Sequence, residues 1–362
     1  MSTASGSPAA FTIRSRPEDF VVVEEPLYPP SGTGAHLFLE IEKRGRTTEQ
    51  VARELGRRLA VDPREVGYAG RKDRHAVTRQ WFSVPGVDVD RARALELEGA
   101  SIVSAIPHAH KLRTGHLRAN RFDLALRSQT VVTAETLAAL TLRAESLVRR
   151  GMPNRFGEQR FGRSGDNAES ARALLSGRLR PRDRRHARFL LSALQAEVFN
   201  AVLDERIAGY DDVLIGDLAR VEESGGLFWV DDLERERPRA RRFEISATGP
   251  IFGTKVRAPR GEAAALEARV FARHGIPADG SLVLPRGLRA PGTRRPLRVR
   301  PDGLELGPLA DGPGLRLGCR LPAGAYVTVL VECLVGNVLD AAQRGSSHDE
   351  ADPMRVSSPD VD

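Results

Sequence analysis

The sequence predicts an α+β fold, with strand and helix patterns mixed along the chain and no regular βαβ alternation. Three observations carry this reading. Stretches near both ends alternate apolar and polar residues as half-buried strands do. Two long stretches between them hold apolar residues at helical spacing. The 362 residues, 41% hydrophobic and 28% charged, suffice for a sizeable core, in two domains or in one large domain with an insertion.

Asp19–Glu24 reads as a short strand, followed by a Pro/Gly-rich loop from Pro26 to Gly34. His36–Lys43 reads as a half-buried strand with Leu37, Leu39 and Ile41 on one face. Thr47 and Gln50 have capping-box spacing, and the helix they open sets Val51, Leu55 and Leu59 on one stripe. Asp62-Pro63 predicts a second short helix. Gln80–Val84 and Phe122–Leu126 read as strands. A helix from about Thr133 to Arg150 carries Leu137, Leu140, Ala144, Leu147 and Val148, and Gly151 and Pro153 stop it. Another, from about Arg185 to Ile207, buries Leu191, Leu194, Val198 and Val202. From there to about Arg295 the chain reads as irregular and rich in Arg, Gly and Pro. Leu315, Leu317, Cys319 and Leu321 then alternate as a strand, and a last helix, near Ala325 to Asp340, aligns Val327, Leu330, Val331 and Leu334. The Ser/Asp/Pro tail after Arg344 is expected to be disordered.

The charge balance points to a polyanionic partner. The chain carries 55 Lys+Arg against 48 Asp+Glu, a net charge of +7. Residues 345–362 hold five acids and one Arg, which leaves +11 on the remainder. Nucleic acid is the simplest partner for such a surplus. An aromatic content of 5% argues against a stacking-platform binder and for recognition through phosphate and shape. The longest late apolar stretch, Ala325–Val335, is interrupted by Glu332 and too short to span a membrane. The first ten residues lack the basic and apolar runs of a secretion signal, so a cytoplasmic protein is expected. Cys319 and Cys333 fit no metal, redox or disulfide spacing, and no H-E-x-x-H occurs, so no metal or other cofactor is expected.

Four segments could carry chemistry. The densest, G-Y-A-G-R-K-D-R-H-A-V-T-R-Q at 67–80, fails as a phosphate loop because its glycine spacing is wrong and Asp73 follows the Lys. It leaves one carboxylate, Asp73, among Arg71, Lys72, Arg74 and His75. Such cations would favour an ionised nucleophile or base and could hold RNA phosphates; a solvated mixed-charge turn is the plainer reading. The second, 111–122, holds four cations, Lys111, Arg113, Arg118 and Arg121, with Asn120 and Phe122, which offer a hydrogen-bonding edge and a stacking face, or simply a basic hairpin with Phe122 in the core. The third, 153–162, alternates Phe, Gly and cations and reads first as an architectural turn. The fourth, Arg178–Arg188, has six Arg opposed only by Asp183 and suits phosphate, or a solvated helix start.

The first of these resembles the signature of the TruD-type tRNA pseudouridine synthases. Five further motifs match in family order: R-P-E-D-F-V-V-V-E-E at 16–25, K-L-R-T-G-H-L-R-A-N-R-F at 111–122, M-P-N-R-F-G-E-Q-R-F-G at 152–162, S-A-T-G-P-I-F-G at 246–253 and L-P-A-G-A-Y-V-T at 321–328. The resemblance implies a pseudouridine-synthase catalytic domain with a mixed or antiparallel sheet over 10–153 and 292–343, interrupted by an inserted α+β TRUD domain over 154–291, before the tail at 344–362. It implies isomerisation of a tRNA uridine, position 13 in the bacterial family, by a protein expected to be a monomer. Asp73 lines up with the family's catalytic aspartate, and Asn120 and Phe122 with its active-site Asn and Phe. Arg14 stands where relatives carry a basic residue, often Lys. Arg14, Arg71, Lys72, Arg74, Asn120 and Phe122 are therefore the expected substrate contacts.

The uridine must be extruded from its stack, Phe122 could stack on it, and Asp73 could attack either the ribose carbon or the uracil ring. A non-catalytic RNA-binding or chaperone protein on the same fold is the rival reading, and the intact Asp73 motif favours the enzyme. A nuclease would want a second carboxylate, a His pair or a metal cluster near Asp73, and the sequence shows none.

Overall fold

The computed structural model describes residues 11–162 and 164–342; the first ten residues and the acidic tail after Arg344 lie outside them. The chain forms two units. One comprises the segments up to Ala139, Gly303–Ala323 and from Val335 onward; the other comprises Leu140–Asp302 and Gly324–Leu334. Among the described residues no helix is long and apolar enough to cross a membrane.

In the first unit, β1 (Phe11–Ile13) leads through a 3-10 turn at Pro17–Asp19 to β2 (Phe20–Pro26), whose Phe20, Val22 and Glu24 share the buried face. In β3 (His36–Arg44) the face of Leu37, Leu39 and Ile41 is continued by Lys43. Helix α1 (Thr48–Leu59) starts with the expected capping box: the Thr47 side chain accepts from the Gln50 N–H, and the Gln50 side chain from the Thr47 N–H. Its Val51, Leu55 and Leu59 pack with Leu37, Leu39, Ile41, Phe82 and Val84. The helix expected at Asp62-Pro63 is instead a single turn, closed by the Glu65 N–H on the Asp62 carbonyl at 2.8 Å before β4 (Gly67–Tyr68) begins. After it come β5 (Val77–Pro85), α2 (Val89–Arg93), β6 (Ala100–His108) and β7 (Leu117–Arg127).

Helix α3 (Ala134–Arg150) follows, with Leu140, Ala144 and Leu147 buried. The second unit then holds β8 (Met152–Pro153), α4 (Asn167–Leu175), α5 (Arg184–Glu205), β9 (Leu218–Val221), β10 (Leu227–Trp229), α6 (Leu233–Arg241), β11 (Ile245–Ile251), α7 (Gly261–Arg273), β12 (Thr293–Pro296) and β13 (Arg298–Val299). Its sheet runs β10-β9-β11-β12. Leu191, Leu194, Val198 and Val202 of α5 are buried with α4 and α7 around Phe252, as their spacing required. The stretch read as irregular up to Arg295 is thus structured. Its strands are short, β11 is buried on both faces and so shows no alternation, and α6 buries only Glu236 and Ala240.

Three strands complete the first unit's ten-stranded sheet: β14 (Asp302–Pro308), β15 (Gly314–Pro322) and, after α8 (Val327–Val335), β16 (Val338–Asp340). The last helix ends five residues earlier than expected because Gly336 takes a left-handed φ of +78°, and Asp340 lies on a strand. The sheet runs β14-β15-β7-β2-β5-β3-β6, with β1 between β16 and β7 and β4 on β5. The β2–β5 and β1–β16 pairs are parallel and the other described pairs antiparallel, an open mixed sheet in an α+β unit.

Candidate active site

Asp73 lies in the loop between β4 and β5, and that loop's backbone is pinned from several sides. The Lys72 N–H donates to Thr48 Oγ1 at 2.9 Å, and Thr48 donates to Gln80 Oε1 at 2.8 Å. Gln80 returns a bond from Nε2 to the Gly70 carbonyl at 3.2 Å. Lys43 Nζ donates to the Asp73 carbonyl at 2.8 Å and to the Arg46 carbonyl at 2.7 Å. Thr48, Gln80 and Lys43 are all buried, so the tether is dry and its bonds are not in competition with water. Burial pulls the Lys43 ammonium down to about 8, against the pull of the Asp73 charge in the other direction.

The Asp73 carboxylate is held separately at each oxygen. Oδ1 accepts the His75 N–H at 3.0 Å, and Oδ2 faces Arg14 Nη2 at 3.1 Å. Arg14 follows β1 with a left-handed φ of +56°, and its guanidinium lies 4.0 Å from the Phe20 ring centre. Its other terminal nitrogen, Nη1, is bonded to Asp340, which the parallel register of β1 and β16 sets opposite Ile13.

Beside this triangle, Lys72 Nζ lies 2.7 Å from Glu24 Oε2 and donates to Asn120 Oδ1 at 2.7 Å. Glu24 and Asn120 are direct cross-strand partners in β2 and β7, so Lys72 caps a pair that the register builds. Three cations and three carboxylates share the site. Glu24 is fully buried and the Asp340 side chain is 12% exposed, whereas Asp73 keeps 29% of its side chain open. A fixed carboxylate with one wet face inside an otherwise closed charge cluster is able to meet a substrate atom.

A family model described as tRNA pseudouridine synthase D (TruD) matches residues 2–180 and 167–333. The chain belongs to the TruD family. It is 46% identical over 332 residues to a protein of Anaeromyxobacter sp. (strain Fw109-5) named tRNA pseudouridine synthase D, covering 90% of this chain and 92% of that one. A protein of the same name from Thermus thermophilus is 42% identical over 350 residues, 94% of each chain. The fold is also that of a crystal structure of a putative tRNA pseudouridine synthase D from Methanosarcina mazei, with a TM-score of 0.72, 19% identity, and 92% and 95% of the two chains covered. The chain is accordingly an isomerase.

In this TruD-family enzyme the predicted site residues separate into two sets. Asp73, Arg14, Lys72 and Asn120 come together as described. Arg71 and Arg74 do not join them: Arg71, 58% exposed, pairs with Glu49, and Arg74 donates to the Gly45 carbonyl at 3.2 Å. The cation that meets the Asp73 carboxylate is therefore not one of its sequence neighbours but Arg14. Arg14 and Lys72, both expected as substrate contacts, have side chains 4% and 7% exposed and are paired with acids of the site. Phe122 is 7% exposed and meets Phe20 edge-on at 6.4 Å, because its place in β7, opposite Val22 and Cys319, turns it inward. Sequence reasoning missed Asp340, Lys43, Glu24 and Phe20. Lys43 and Glu24 carried a signal, since each continues the buried face of its strand with a charge.

Proposed function

We propose that this enzyme converts uridine-13 of a tRNA to pseudouridine in the cytoplasm, acting as a monomer without a cofactor and using Asp73 as its nucleophile. The observation that carries the reading is the Asp73 carboxylate itself: fixed at both oxygens, tethered through its own carbonyl, and the most open acid of the cluster. The names of the relatives and the motif resemblance support the substrate and the position. The unit Leu140–Asp302 encloses the 154–291 span read as the TRUD insertion, which supports that division.

In this mechanism the uridine leaves its stack at a cost of a few kcal/mol. An Asp73 oxygen attacks C1′ of the ribose or C6 of the ring, and the N1–C1′ bond breaks. The N1–C1′ electron pair stays on N1, the uracil turns, C5 bonds to C1′, and the bond to Asp73 is released; the C5 proton leaves to solvent and N1 takes up a proton, so the product is an isomer. No electrons are transferred and no co-substrate is consumed. Arg14 and the His75 N–H aim the carboxylate, while Lys72 and Asn120 hold the neighbouring strand pair. The exposure of Arg71 and Arg74 supports a role for them on phosphate oxygens, in exchange for Glu49 and the Gly45 carbonyl.

The test is tritium release from tRNA labelled at uracil C5, with the modified nucleotide mapped. Wild type should release tritium from one uridine, at position 13. Asp73→Asn should bind tRNA normally and lose at least about a thousandfold in rate, as expected when a nucleophile is removed. Pseudouridine formation by the Asp73→Asn protein would sink the nucleophile assignment. Tight binding without release by either protein would leave an RNA-binding protein on a synthase scaffold.

A further inference from the structure

We propose that Asp340 is a positioning residue for the nucleophile, acting through Arg14: it takes one arm of the guanidinium and so limits how much of that cation's charge falls on Asp73. The inference rests on the reading of Asp73 as nucleophile. One buried cation stands between two carboxylates, with Nη2 on Asp73 Oδ2 at 3.1 Å and Nη1 on Asp340 Oδ2. Arg14 Nε has no hydrogen-bond partner among the described residues and Phe20 lies 4.0 Å from the guanidinium, so the two terminal nitrogens carry all of its pairing. Asp340 is held in place: its Oδ1 accepts the Ala342 N–H at 3.2 Å, and its backbone is paired with Ile13 next to Arg14. A planar fork can span two acids in this way, whereas a lysine presents a single point charge.

The chemistry gives the arrangement a purpose. A carboxylate that must attack carbon has to be ionised, yet full neutralisation by a private guanidinium would make it a weak nucleophile. A second anion on the same guanidinium shares its charge, so Asp73 is aimed without being paired to a private cation. The other charged groups of the site and of its loop are Lys43 from β3, which holds the Asp73 carbonyl, Glu24 from β2, which pairs with Lys72, and Arg71, Lys72, Arg74 and His75 of the Asp73 loop. None of them bonds Asp340, so changing Asp340 leaves them as they are.

The experiment compares wild type with Asp340→Asn, which keeps the shape and an acceptor oxygen but removes the negative charge. Single-turnover pseudouridine formation is measured with tRNA affinity alongside, and Asp340→Glu, which restores the charge, is run beside it. For Asp340→Asn the rate should fall about three- to tenfold with tRNA affinity unchanged, and Asp340→Glu should recover most of that loss. An unchanged rate, an equal loss of affinity, or a Glu variant as slow as the Asn one would overturn the proposal. A double-mutant cycle keeps the idea falsifiable if the single variant folds poorly: on an Arg14→Lys background, Asp340→Asn should have little further effect on rate, and additive losses would overturn it. Activity in Asp73→Asn would instead defeat the underlying reading, whereas an inactive Asp73→Asn beside a wild-type rate for Asp340→Asn would defeat only this one.

Discussion

Lys43 shows at the scale of one residue what the site asks of its surroundings. The residue is 1% exposed and its ammonium donates to two main-chain carbonyls, so burial outweighs the Asp73 charge and brings it to about 8 from 10.5. Below pH 8 folded and unfolded chains both carry the proton, and the folded state bears the full cost of the buried charge, about 3 kcal/mol. Between pH 8 and 10.5 the folded chain has released the proton while the unfolded chain still holds it. The unfolded state then binds more protons, so stability rises with pH through that window. Denaturant unfolding of wild type and Lys43→Met at pH 7.5 and pH 10 checks this: the difference should shift in favour of wild type at the higher pH, and a constant difference would refute it. The neutral amine still has donors for both carbonyls, so the Asp73 tether should survive the titration. Asp73, Lys72 and Asn120 were legible because each sits in a short dense motif. Asp340 was not, because what brings it to Arg14 is a parallel pairing between residues 13 and 340, which no local spacing encodes.

At the scale of elements, the start of α1 ties helix stability to the loop that carries Asp73. Thr47 and Gln50 close the capping box, and the next residue, Thr48, receives the Lys72 N–H just before Asp73. Thr47→Ala should cost about 1 kcal/mol and lower the melting temperature by about 2–4 °C. It should also speed amide hydrogen exchange at Lys72 and Asp73 together with the first turn of α1; a loop whose exchange is unchanged would show that it does not depend on the cap. This element was readable because its chemistry lies within four residues, as was the α5 stripe. The second unit's sheet was not. β9 and β10 have four and three residues, β11 is buried throughout except at Ile251, and α6 is an Arg/Glu helix without an apolar stripe. β9 and β10 form a short hairpin, and β11 is held by β9, β12 and Phe199 and Leu203 of α5, which lie far from it in the chain.

At the scale of the whole molecule, the excess of positive charge has one concentrated outlet among the described residues of the second unit. Arg178, Arg180, Arg182, Arg184 and Arg188 are all exposed, and the one acid among them, Asp183, is committed to capping α5 through the His186 N–H at 2.7 Å. The first turn of α5 contains no acid, so Arg184 and Arg185 face the positive end of the helix dipole. That arrangement costs the free protein a few tenths of a kcal/mol or more and becomes favourable once a phosphate sits between the charges. Replacing Arg180, Arg182, Arg184 and Arg188 together by Gln should therefore do two opposite things. The melting temperature should hold or rise slightly. The affinity for tRNA should drop at low salt, and the slope of log K against log salt should flatten by up to about 0.9 for each duplex phosphate that the variant no longer neutralises. Because counterion release supplies the affinity, wild type and variant should converge as salt rises. Parallel salt lines for the two proteins would mean that these arginines are only a solvated face, and that the polyanion is gripped by other parts of the chain.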